Sequence, residues 1–235
     1  MEKNILAVIA TLSSSKQEQS QLTSAAAFVR DFLDNEVSRG YQSEVHGWEH
    51  MSFVALKTVQ YIKNEGGSTD DQKIGFLAGL FHDIIRPKPK LMKETDKPPE
   101  VQSADLAEKK LRELGFSEVD VRQVCGAVLG HTFGVELKGS REIKRDENLV
   151  TNCLMSADKI RQVSLSVIRE RPIFINESMD NPTKEQVIDY WTRRIKKAEE
   201  FLDTNAGKIM LKNEPNLLSD FEKVKAHFRS IEAAQ

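Results

Sequence analysis

His82 and Asp83 stand side by side where an apolar run, Leu77-Ala78-Gly79-Leu80-Phe81, gives way to Arg86 and Pro87. Proline cannot extend a helix and disfavours helical geometry in the residue before it, so the run must stop here. In mid-helix, sequence neighbours point about 100° apart. At a helix end the backbone is freer, and an imidazole and a carboxylate can converge on one metal ion. Alone, the pair would read as a capping aspartate beside a core histidine. The other histidines change the balance. Of five in the chain, His46, His50, His82 and His131 fall within the first 131 residues, each at the edge of an apolar helical segment. His227 sits in a charged C-terminal stretch and reads as a solvated surface residue. Asp158 lies in Asn152-Cys153-Leu154-Met155-Ser156-Ala157-Asp158-Lys159-Ile160, an apolar helix with little reason to bury a carboxylate. An unpaired buried charge is costly unless a metal or a salt bridge offsets it.

Composition limits what surrounds these residues. A chain of 235 residues can form one large domain or two small ones. Charged residues make up 30% and nearly cancel, at net −2. No basic stripe is present, which argues against nucleic acid as the main partner. Cys125 and Cys153 each lie within an apolar helical pattern and read as reduced core residues of a cytoplasmic protein. Ile5 to Leu12 is apolar but follows Glu2 and Lys3, without the net positive start of a signal peptide. It is also far below the roughly 18 apolar residues of a membrane span. It reads as the first helical turns of the domain or as a packed arm.

Helical periodicity dominates. Leu22, Ala26, Val29, Phe32 and Leu33 form one apolar stripe that ends near Gly40. A second helix begins around Val45-His46-Gly47-Trp48-Glu49-His50, carries Phe53 to Ile62 and closes at Gly66-Gly67. Ser68 to Asp71 supplies N-cap residues for a third, which delivers His82-Asp83. Pro87 to Pro99 holds four prolines and four lysines and is expected as an exposed loop, either a solvated connector or a mobile basic lid. Val101 to Leu114 and Ser117 to Gly130 are helical. Gly134 to Arg145 is loop-like, a long helix is expected from about Asp146 to Glu170, and Arg171 to Asn181 is irregular. Thr183 with Gln186 forms a capping box for a helix through Leu202. Two shorter helices follow, around Ile209 and from Leu217 to Ile231. The expected fold is an all-α bundle of eight or nine helices in a single domain spanning 1–235. Its core covers about 20–170, and the helices of 183–233 pack on it.

The order His50, then His82-Asp83, then Asp158 resembles the HD-domain superfamily of metal-dependent phosphohydrolases. His46-Gly47-Trp48-Glu49-His50 resembles its opening motif, Phe76 to Ile84 its apolar run into His-Asp, and Ser156-Ala157-Asp158-Lys159-Ile160 its closing motif. Gly130-His131-Thr132-Phe133 is similar to a segment of the small bacterial HD proteins that hydrolyse nucleotides. The resemblance implies His50, His82, Asp83 and Asp158 as metal ligands, and a nucleotide or other small phosphate ester as substrate. Some HD nucleotidases carry a glutamate three residues after the His-Asp aspartate. Arg86 occupies that position here, which leaves the general acid/base open.

Two imidazoles and two carboxylates form a mixed nitrogen and oxygen site. Such a site suits Mn²⁺, Fe²⁺, Co²⁺, Ni²⁺ or Zn²⁺, with Mg²⁺ also admitted, better than Ca²⁺. Around it, His131 is expected as a donor to a phosphate oxygen, and Lys159 and Arg86 as cations that neutralise phosphate charge. His46 is expected either to orient the site from just outside the ligand set or to be a helix-start surface residue, and it is counted among the substrate-binding candidates. Lys88, Lys90 and Lys93 would add positive charge from the loop. Two other classes compete. A di-iron oxygenase of the same superfamily needs additional histidines, for which His131 is the candidate. A non-catalytic metal- or nucleotide-binding module would need none of the chemistry. Oligomeric state is not encoded legibly.

Overall fold

The computed structural model describes residues 2–42, 44–88, 91–93, 96–132, 148–168, 175 and 179–233. Among them are ten α-helices and no strand. The helices are α1 Glu2–Leu12, α2 Lys16–Ser38, α3 Trp48–Asn64, α4 Thr69–Phe81, α5 Pro99–Glu113, α6 Glu118–Gly130, α7 Leu149–Val163, α8 Lys184–Leu202, α9 Asn205–Asn213 and α10 Leu217–Ala233. The all-α expectation holds. The count exceeds it by one because the short apolar segment at Ile5 is a complete helix that buries Ile5, Ile9 and Leu12.

Two helices are central. In α4 every residue from Lys73 to Phe81 is buried, and in α7 every residue from Val150 to Asp158. A helix apolar on all sides must be wrapped by others. Here α3 packs on both α4 and α7, while α6 covers another side of α4. Local chemistry sets where α4 starts. Ser68 Oγ accepts from the Asp71 amide at 3.1 Å, and an Asp71 oxygen accepts from the Ser68 amide at 2.9 Å. This is the reciprocal cap that satisfies the helix's first orphan donors. Lys73, the charged residue inside this apolar helix, is held by Glu18 at 3.1 Å, Asp70 at 3.4 Å and Asp120 at 3.7 Å, tying α2 and α6 to α4. The C-terminal helices join the core through α9, where Ser156 Oγ lies 2.6 Å from the Ala206 carbonyl. The buried apolar cluster runs from Ile5 through Phe228.

Two boundaries depart from the periodicity. His46 is not on the same helix as His50. It closes a 3₁₀ turn, Glu44–His46, and the extended backbone of Gly47 separates that turn from α3. The helix expected to reach Glu170 stops at Val163, because Ser164 is extended (φ −86°, ψ 165°) and its hydroxyl pairs with that of Ser166 at 2.8 Å. Serine offers the backbone a local alternative to the helix, which apolar periodicity does not register. The expected helix start at Asp146, the loop of 134–145 and nearly all of 171–178 lie outside the described residues.

At Gly79, α4 lies directly against the backbone of α3. A Cβ there would sit 2.5 Å from Ala55 Cα and 2.8 Å from Ala55 N. Backbone cannot yield as a side chain can, so the two helices would be forced apart. Gly79→Ala is expected to lose about 1–3 kcal/mol of unfolding free energy. Gly126→Ala, on a helix with open space around the same position, should be neutral or gain a few tenths of a kcal/mol from lower unfolded-state entropy. Denaturant titration of both variants checks the pair.

Candidate metal centre

His82 caps the C-terminus of α4 with helical dihedrals, and Asp83 follows in the turn. The ring Nδ1 of His82 lies 2.8 Å from the Gly79 carbonyl. A carbonyl can only accept, so Nδ1 carries the hydrogen and Nε2 faces inward. On α3, His50 Nε2 lies 3.3 Å from that nitrogen. Asp158, reaching in from α7, places Oδ1 3.3 Å from His50 Nε2 and 3.6 Å from His82 Nε2. Asp83 Oδ2 is 3.8 Å from His82 Nε2 and 3.6 Å from His46 Nε2. One donor atom from each of His50, His82, Asp83 and Asp158 falls within 4.8 Å of all the others, and all four residues are buried. Ligand atoms that share an ion at about 2.1 Å and stand 90–110° apart are roughly 3.0–3.4 Å from one another. The cluster is therefore compatible with a divalent metal ion and needs only slight contraction to hold one. Asp83 Oδ2 and Asp158 Oδ1, the oxygens nearest His82 Nε2, are anionic donors of the kind such an ion takes.

Each carboxylate divides its oxygens between the interior and a cation. Asp158 pairs its outer oxygen with Lys159. Asp83 Oδ1 faces Arg86 at 3.5 Å and His131 Nε2 at 3.7 Å. Burial pushes both carboxyls up, but the surroundings outweigh it and hold both well below the usual carboxylate range. Asp83 is held chiefly by Arg86, then by His131 and His82; Asp158 is held chiefly by Lys159, then by His50 and His82. Burial pushes His46 and His50 down. Burial acts on His82 in the same direction, yet the hydrogen bond with Asp158 and the charges of Asp83 and Asp158 raise it. His131, the cap residue of α6, is buried, and its Nδ1 donates to the Val128 carbonyl.

The structure thus gathers His46, His50, His82, Asp83, Arg86, His131, Asp158 and Lys159 around one point. Of the loop lysines, Lys88 has its amide bound to the Tyr41 carbonyl at 2.9 Å, Lys93 is exposed, and Lys90 lies outside the described residues. Three residues that sequence reasoning passed over support the cluster. Buried Gln42 donates to the carbonyls of Asp83 (3.1 Å) and His46 (3.3 Å), and its own oxygen accepts from the Arg86 amide at 2.8 Å. Buried Glu100 holds the Arg86 guanidinium at 3.0 Å. Arg161 approaches His50 Nδ1 at 3.4 Å, one turn beyond Asp158. Only Arg161 had a sequence signal, its i+3 spacing from Asp158 on one helix face.

Asp83→Ala is expected to abolish metal retention with helix content intact, and Asp158→Asn to weaken metal affinity at least about tenfold, since a neutral amide replaces an anionic ligand. Metal content after dialysis, alongside circular dichroism, checks both. Unchanged stoichiometry in Asp83→Ala would sink the ligand assignment. Lower stability with unchanged metal affinity in Asp158→Asn would make that residue a partner of Lys159 only.

A comparison with curated proteins finds no significant match. Among solved structures, the chain is similar to Bacillus subtilis YpgQ in complex with ADP, at 16% identity, covering 89% of this chain and 97% of that one, with TM-score 0.59. It is also similar to a structural-genomics protein from Lactobacillus plantarum, at 15% identity, covering 90% and 98%, with TM-score 0.57. At these identities the likeness speaks for the fold. The family model described as the HD domain matches residues 47–162, a span that runs from the start of α3 to the end of α7 and contains all four clustered ligand candidates. Residues 47–162 match the HD-domain family and form an HD domain within the chain.

Proposed function

We propose that this protein is a metal-dependent phosphohydrolase acting on a nucleotide or another small phosphate ester or anhydride. The observation that carries the reading is the buried two-histidine, two-aspartate cluster beside a cavity of about 230 Å³ whose wall includes Arg86 and Lys159. His50, His82, Asp83 and Asp158 would hold the ion. A divalent ion there supplies a water of lowered pKa and polarises a phosphoryl oxygen. Lys159 and Arg86, each anchored by a carboxylate of the cluster, present positive charge to the phosphate. His131 has Nδ1 committed to Val128, so its Nε2 is the atom turned toward the reacting centre. In its imidazolium form, with both ring nitrogens protonated, it is assigned the donor role to a phosphate or leaving-group oxygen, the role left open by arginine at position 86. His46 flanks Asp83 and orients it. The similarity to a protein bound to ADP favours a nucleotide as substrate. The basic loop lysines are given no contact in this scheme.

A two-metal oxygenase is the second reading, because His46 and His131 bring two further imidazoles to opposite oxygens of Asp83. Arg86 opposes it by placing a cation 3.5 Å from the shared carboxylate. The chain loaded with Mn²⁺, Co²⁺ or Ni²⁺ is expected to release phosphate from ADP or p-nitrophenyl phosphate. His131→Ala should lower kcat/KM roughly ten- to a hundredfold, the worth of one charged hydrogen bond, with metal content unchanged. Two irons per chain and no phosphate release would overturn the hydrolase assignment.

A further inference from the structure

Beyond Asp158, α7 continues along the 230 Å³ cavity. Lys159, Gln162 and Val163 all line its wall. The spacing 159, 162, 163 puts these three on one side of the helix, and Asp158 with Gln162 is a further i, i+4 pair. At 1.5 Å per residue, Gln162 stands roughly 6 Å farther along the helix axis than the ligand candidate Asp158. The helix then ends, because Ser164 is extended. Gln162 differs from its polar neighbours on the wall. Lys159 is paired with Asp158, and Arg86 with Asp83 and Glu100. Gln162 is half-buried, and among the described residues its side-chain amide has no hydrogen-bond partner. Ala198 and Phe201 of α8 add apolar wall to the same cavity. An amide partly withdrawn from water gains more from a ligand's polar group than one on an open surface. It is neutral, with one acceptor oxygen and two N–H donors. It cannot offset phosphate charge. It can pair with a hydroxyl, or with a nucleobase edge that sets a donor beside an acceptor.

We infer that Gln162 is a specificity-determining residue that reads the organic group joined to the phosphate, favouring a nucleoside or sugar over a plain alkyl chain. The inference rests on the phosphohydrolase reading for where the phosphate sits. With a phosphoryl group at the cluster, the ester oxygen and first carbons of the attached group lead one helical turn along α7, to Gln162. A hydroxyl or base edge arriving there completes the amide's hydrogen bonds. An alkyl group occupies the same space and leaves the amide unpaired, and a site built around a polar group rejects the ligand that cannot pair with it.

The test is calorimetric binding of three phosphonates to the Mn²⁺-loaded full chain: the phosphonate analogue of AMP, that of ribose 5-phosphate, and ethylphosphonate. All carry the same charged head, and their P–C bonds resist hydrolysis. Wild type should favour the AMP analogue over ethylphosphonate by at least about tenfold. Gln162→Leu, which keeps the bulk and removes the amide, should cut that preference about three- to tenfold, the worth of one or two neutral hydrogen bonds, with manganese content unchanged. Gln162→Ala should do the same. The ribose analogue separates the two sources. Loss of its advantage over ethylphosphonate in Gln162→Leu assigns the amide to the sugar, and an unchanged advantage assigns it to the base. No preference in wild type overturns the inference. So does a preference kept by the leucine variant and lost only by the alanine variant, which would make the residue a space-filler. If the preferences shift as expected and no phosphate ester or anhydride is hydrolysed, the role of Gln162 stands and the hydrolase reading fails. If ADP is hydrolysed and the preferences are insensitive to both variants, the reverse holds.

Discussion

Two aspartates are buried within 4 Å of imidazole nitrogens, and much of the structure serves to keep those aspartates charged. Removing a carboxylate from water costs several kcal/mol unless its partners are close and well placed. Asp83 and Asp158 meet this cost in the same way. Each turns one oxygen inward and offers the other to a basic side chain, Arg86 or Lys159. Arg86 is itself steadied by Glu100 and Gln42. The result is a chain of opposite charges that begins at the ligand cluster and ends at the cavity wall. The cations that keep the ligands ionised are thereby the cations that face an incoming anion.

Geometry then depends on how closely the helices approach. His50 and His82 sit on different helices, and their ring nitrogens come within 3.3 Å because Gly79 lets α4 lie directly on the backbone of Ala55. The carbonyl of that same glycine fixes the His82 tautomer. One residue therefore sets both the spacing of the two imidazoles and the direction of one of them. Gln42 plays a comparable part on the other side, holding the His46 turn and the Asp83 turn with a single amide.

The elements that read well from sequence were those announced by strong local signals. The capping box at Ser68, the glycine stop at Gly66 and the apolar runs into His82 and Asp158 each have a cause within a few residues. So the all-α fold and the four residues of the buried cluster were legible. The supporting contacts were not. Gln42 meets Asp83 41 residues later, and Arg161 meets His50 across 111 residues. Such pairs follow from packing, and no short-range pattern carries them. Ser164 shows the opposite failure. Apolar periodicity continued past it, but a hydroxyl-backed break in the backbone decided the outcome. Among the described residues, the cations on the cavity wall come from α7, α8 and the turn after α4.

The cluster also joins parts of the chain that are remote along it. His50 and His82 are 32 residues apart, and Asp158 belongs to a helix beyond α5 and α6. In the unfolded chain these side chains are separated by long flexible stretches, and bringing them together carries a loop-closure entropy that grows slowly with length. A cation gripped by all four would act as a removable cross-link, holding α7 against the α3–α4 pair. Its departure would loosen first the seam between α7 and that pair, where four buried charged or ionisable groups would then face one another with only Lys159 and Arg86 as counterweights. With such an ion bound, the resistance of this fold to opening would be tied to ion supply, a dependence that its otherwise ordinary apolar core would not by itself create.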